Sequence, residues 1–157
     1  MRHILLGGVL ILLFILAGLA AELPMLEGEM TAAEIRRLLP EYDAAFHEYS
    51  PAADIVGQLS FPEDMEIYVV FGSWCSDSLH HVPAFMKILQ AVSFPPEKTI
   101  YIAVNRQKED PEGLSAPFNI ERVPTFIFLQ GGREIGRIVE NPETSLEQDT
   151  LNILANP

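Results

Sequence analysis

The stretch Phe71–Pro83, FGSWCSDSLHHVP, holds the single cysteine of the chain. It lies between two segments of different periodicity. Before it, Glu66-Ile-Tyr-Val-Val-Phe71 is apolar at odd and even positions alike, the pattern of a central strand covered by helices on each side. After it, Leu79, Val82, Met86 and Leu89 step by three and four, with Phe85 and Val92 beside them, which predicts a helix. Gly72 and Ser73 break the strand, so Cys75 is expected at a strand-to-helix junction, directly after Trp74. A sulfur at a helix N-terminus faces unpaired N–H groups and the positive end of the helix dipole, which favours the nucleophilic thiolate. Asp77 opposes this with its negative charge, while Ser78, one turn along, can donate a hydrogen bond to the sulfur.

Downstream, Phe94-Pro-Pro96 closes the helix and Thr99–Val104 (TIYIAV) reads as a second strand with two apolar faces. Together they form a βαβ unit with a right-handed crossover. The polar segment Asn105 to Gly113 is a loop, and a short helical piece is expected around Leu114 to Phe118. Thr125–Leu129, the glycines of Gln130-Gly-Gly-Arg133, and Glu134 to Val139 give a hairpin signal. Ser145-Leu-Glu-Gln148 fits a capping box, and Leu146, Leu151, Ile153 and Leu154 supply the inward side of a last helix.

Upstream, Glu22 to about Gly28 reads as a linker. Thr31-Ala-Ala-Glu34 fits another capping box, followed by Ile35, Leu38 and Leu39 as an apolar face that Pro40 ends. Tyr42, Phe46 and Tyr49 repeat at helical spacing and read as core packing, with His47 exposed between them. Ser50-Pro51 restarts a turn, with Ile55, Val56 and Leu59 inward.

The order of these elements, the Trp74-Cys75 pair at the strand–helix junction, Pro83 five positions after Ser78, and Val123-Pro124-Thr125 ahead of the hairpin resemble the thioredoxin superfamily over roughly Met65 to Leu154. That resemblance implies an α/β, thioredoxin-like fold: a central mixed β-sheet flanked by helices, here with an N-terminal helical extension. It implies a cis bond at Pro124, within Ile120–Phe126, and backbone groups of Val123 that pair with an extended substrate strand. Trp74 would shield the site. Ser78 stands where the family has its second cysteine, and with no other cysteine in the chain a dithiol cycle within one molecule is impossible. The family begins with a strand where this sequence reads as helices, which leaves open whether the first edge strand is missing or rebuilt.

Cys75 and Ser78 are thus the candidate catalytic residues, and Trp74, Val123 and Pro124 the candidate substrate-binding ones. Two functions compete. In one, Cys75 carries out monothiol exchange, by isomerisation or mixed-disulfide chemistry, with a protein disulfide or thiol or with a low-molecular-weight thiol. In the other, the fold is a degenerate thioredoxin that binds peptide or acts as a chaperone-like module without redox turnover. Metal capture by Cys75 with His80 or His81 is disfavoured, because offsets of five and six point those side chains away from the Cys75 face of a helix. Neither a metal nor another cofactor is expected.

Composition sets the remaining limits. The chain has 157 residues, 48% of them apolar, enough to bury a core. Ten Lys and Arg against 22 Asp and Glu give a net charge of -12, which repels nucleic acid. After Arg2 and His3, residues 4–21 (ILLGGVLILLFILAGLAA) form an unbroken apolar run with the layout of a signal peptide, and of a length that also spans a bilayer. Leu19 stands where a lipid-anchored protein needs cysteine. The expected units are a signal peptide or membrane anchor at 1–21, a linker and helical extension at 22–60, and a thioredoxin-like domain at 61–157. The expected location is outside the cytoplasm, periplasmic or otherwise extracytoplasmic, secreted or anchored by the N-terminal segment.

Overall fold

A computed structural model describes residues 24–157; the apolar run, with its expected role as signal or anchor, lies outside the described residues. The elements are β1 (Gly28–Met30), α1 (Ala32–Leu38), α2 (Pro40–Glu48), α3 (Ala53–Val56), β2 (Met65–Phe71), α4 (Ser76–Ala91), β3 (Thr99–Ala103), β4 (Thr125–Gln130), β5 (Arg133–Val139) and α5 (Leu146–Ala155). Short 3-10 turns at Pro96–Lys98 and Ala116–Phe118 complete the chain. The five strands form one mixed sheet in the order β1-β3-β2-β4-β5. β2 and β3 run parallel, joined through α4, and the other three pairings are antiparallel. This is the thioredoxin-like architecture expected from the sequence, a mixed sheet flanked by helices.

Local chemistry explains most of the boundaries. Gly131 and Gly132 have φ of 57° and 76°, and a two-residue hairpin turn whose twist matches its strands needs positive φ at both positions. Thr31 Oγ1 accepts from the Glu34 N–H at 3.2 Å and Glu34 Oε2 accepts from the Thr31 N–H at 2.9 Å, closing the expected capping box. Pro40 both ends α1 and occupies the first turn of α2, where its missing N–H costs nothing. At the single-residue joint between them Leu39 turns fully inward with Ile35, whereas Leu38, expected on the same face, is 41% exposed.

Three further expectations are corrected. Where the linker gives way to the expected helix the chain forms β1, whose three residues pair antiparallel with Tyr101–Ala103, so the first edge strand is present. The capping box of α5 is half made: Ser145 Oγ accepts from the Gln148 N–H at 3.1 Å, but the Gln148 side chain turns along the helix to Asn152. The two faces of β2 are also covered differently. Met65, Ile67, Val69 and Phe71 pack with Ile35, Leu39, Tyr42, Phe46, Phe85, Phe126 and Phe128 in the main core under the helices. On the other face Val70, Ile102, Val104, Val123 and Ile127 are covered by Leu114, Phe118 and Ile120 from the segment leading to β4, and no long helix of the described residues lies there. An apolar run on a central strand requires burial on both faces but does not specify what provides it.

Candidate functional site

The sheet brings the ends of β2, β4 and β5 together with the start of α4. After β2 the chain turns at Gly72, where the Cys75 N–H donates to the Gly72 carbonyl at 2.9 Å. Cys75 then caps α4 with extended backbone, φ -98° and ψ 127°, and its carbonyl accepts the first helical bond from the Leu79 N–H at 3.1 Å. The sulfur is half-buried and is a free thiol. It donates to the carbonyl oxygen of Val123 at 3.4 Å. The Val123–Pro124 peptide bond is cis. The loop before β4 therefore meets the helix start at the sulfur, and the Val123 carbonyl that would face an extended substrate already has the thiol as its partner.

Ser78 does not donate to the sulfur. Side chains in a helix lean toward its N-terminus, so the fully buried Ser78 hydroxyl reaches back over the turn and accepts from the Gly72 N–H at 3.3 Å. It ties α4 to the loop that precedes Cys75. Trp74 is half-buried with the sulfur in the second cluster, its Nε1 donating to the Val104 carbonyl at 3.0 Å. The exposed guanidinium of Arg106 lies 4.8 Å from its ring centre. Val123 and Pro124 are both buried, and the Glu140 N–H fixes the Pro124 carbonyl at 2.7 Å.

Several residues that shape the site carried no sequence signal. Ser73, fully buried, donates to the Pro24 carbonyl at 2.6 Å and accepts from the Leu26 N–H at 2.9 Å, lashing the N-terminal segment to the site loop. Tyr42 of α2 reaches the Gly72 carbonyl at 3.5 Å. Burial first, and the nearby charge of a Cys75 thiolate second, push its phenol above the ordinary tyrosine value. Arg122 and Glu140 form an ion pair at 2.8 Å beside the cis bond. His81 Nε2 and Asn141 Oδ1 meet at 2.9 Å, while His80 is exposed and edge-on to His81. Ser73, Arg122, Glu140 and Asn141 meet partners distant in sequence, whereas Tyr42 stood out only as part of an aromatic stripe and His80 and His81 only as disfavoured metal ligands. Among the described residues no group of three or more His, Cys, Asp or Glu side chains is placed to hold a metal ion.

No family model and no curated protein matches the sequence. Solved structures do. A protein of unknown function from Pseudomonas aeruginosa is similar at a TM-score of 0.58 and 16% identity, over 82% of this chain and 92% of that one. An HIV epitope scaffold is similar at a TM-score of 0.56 and 17% identity, over 83% of this chain and 94% of that one. The germline-specific thioredoxin Deadhead of Drosophila melanogaster aligns over 59% of this chain and 81% of its own at 18% identity, with a TM-score of 0.42, too low to argue from. At such identities the likeness concerns the fold alone.

Proposed function

We propose that the chain is an exported thioredoxin-like protein that carries out monothiol thiol–disulfide exchange through Cys75. The observation that carries this reading is the free, half-exposed sulfur at the N-cap of α4, against the carbonyl that precedes a cis-proline. In the first step the Cys75 thiolate attacks a disulfide, the Cys75–substrate bond forms, and the other sulfur leaves as a thiolate that takes a proton from water. In the second step a thiol of the same substrate, or a low-molecular-weight thiol, attacks the mixed disulfide and releases Cys75. Disulfides are rearranged without net gain or loss of electrons. Ser78 supports this chemistry through the loop, by holding the Gly72 N–H, and Trp74 packs against the same apolar cluster as Cys75.

Incubation with oxidised glutathione tests the reading. Cys75 is expected to take up one glutathione, observed by intact mass, and to release it when reduced glutathione is added. Cys75→Ser should do neither. A folded protein whose thiol stays unmodified, yet which binds extended unfolded peptide in a way that Pro124→Ala abolishes, would instead be a peptide-binding module.

A further inference from the structure

The Ser73 lashing sets where the site can be. Pro24 and Leu26 are both hydrogen-bonded to Ser73, Leu26 packs on the main core, and β1 follows at Gly28. The segment from Pro24 onward is therefore pinned to the folded body. Only Glu22 and Leu23 separate Pro24 from the end of the apolar run at Ala21. Three residue steps reach at most about 11 Å, and the route from Pro24 through Ser73 to Cys75 adds about 15 Å. Cys75 thus lies within about 25 Å of the point where the run ends, a distance comparable with half a bilayer. Met25, beside the pinned Pro24, is the most exposed of the large apolar side chains among the described residues at 54%, and it stands where the chain would meet the interface.

We propose that Cys75 acts at the membrane surface, on disulfides or thiols of proteins in or on the same membrane, because the Ser73 lashing holds its loop on a leash of two residues. This rests on the reading that residues 4–21 are retained as an anchor. The exchange steps are those given above, with the attacked sulfur supplied by a protein that shares the membrane. The leash raises the effective concentration of such sulfurs at Cys75 and does nothing for soluble ones.

The test uses the full chain in phosphatidylcholine vesicles that contain a phospholipid with a maleimide headgroup. Cys75 should couple to the lipid, read by mass, at least about five-fold faster than in a variant with about 20 Gly/Ser residues inserted between Ala21 and Glu22, whose mean reach is about 25 Å longer. Rates are normalised to modification by soluble N-ethylmaleimide. Equal lipid coupling in the two chains overturns the inference. So does absence of coupling in vesicle-bound protein whose thiol still reacts with the soluble reagent. Flotation with the vesicles, and the mass of the N-terminus recovered from cells, report on the anchor separately. A chain that is cleaved or does not float removes the anchor and this inference with it, while glutathione exchange in solution still decides the monothiol reading.

Discussion

Gly72 is the residue on which the site loop turns, and its missing side chain is the reason. A Cβ there would stand 2.6 Å from Cε2 and 2.8 Å from Cζ2 of the Trp74 ring, closer than atoms approach. The indole cannot easily withdraw, since its N–H is held by Val104. Gly72→Ala should cost about 1–3 kcal/mol by overpacking, seen as a lower urea midpoint, and should shift the fluorescence of the only tryptophan. Ser78 supports a different test. It lies three residues from Cys75 in the first turn of α4, fully buried, in a space that a thiol of similar volume fills. Ser78→Cys should therefore close a disulfide with Cys75 under mild oxidant, detected as the loss of two hydrogens in intact mass. A folded variant that stays fully reduced would mean that the helix start does not have the geometry of a Cys-x-x-Cys turn.

Among the elements, α5 depends on two buried carboxylates that a reading of apolar periodicity passes over. Leu146 is buried as expected, but Leu151, Ile153 and Leu154 are only half-buried, while Glu147 and Asp149 are covered. Glu147 accepts from the Tyr49 hydroxyl at 2.8 Å and the Ala52 N–H at 3.1 Å, joining the α2–α3 connection to the first turn of α5. Burial works to raise its pKa. Bonds from the backbone N–H groups of Glu147 and Ala52 and from the Tyr49 and Ser145 hydroxyls outweigh that effect and hold it below the ordinary glutamate value. A depressed folded pKa gives stability that is complete above the unfolded value and is lost as pH falls through the folded one. Glu147→Gln should thus destabilise by about 1–3 kcal/mol at neutral pH. The gap between the two melting temperatures should narrow on acidification below pH about 4.5. A gap that stays constant down to pH about 2 would show that the charge contributes nothing.

For the whole molecule, the N-terminal helices are part of the structure that supports the site. Ile35, Leu39, Tyr42 and Phe46 are all buried in the main core, and Tyr42 also touches the site loop. At about 1.5–3 kcal/mol for each large side chain buried, their loss removes roughly 6–12 kcal/mol. That is as much as the whole stability of about 5–15 kcal/mol typical of a domain. A chain starting at Phe61 is therefore expected to show no cooperative thermal transition by circular dichroism. A sharp transition in that fragment would establish 61–157 as a domain in its own right.

β2, β3, α4 and the hairpin were legible because their information is local. An apolar run bounded by Gly72 marks β2, a three-and-four step marks α4, and two adjacent glycines allow one kind of turn between β4 and β5. The same local signals placed Cys75 at a helix start, and the resemblance to the thioredoxin superfamily singled out the loop at Val123 and Pro124. Where Ser78 aims could not be read this way, since a serine in a first turn can face the sulfur or the preceding loop. The packing of α4 on β2 selects Gly72. β1 was missed because three residues are too few to show a period, and the pairing with β3 is what makes them a strand. The lashing of Pro24 to Ser73 and the contact of Tyr42 with Gly72 join residues 49 and 30 positions apart. No sequence period spans such distances. They exist because burial of the shared core brings α2 and the N-terminal segment against the end of β2, where each buried polar group takes the nearest partner that can satisfy it.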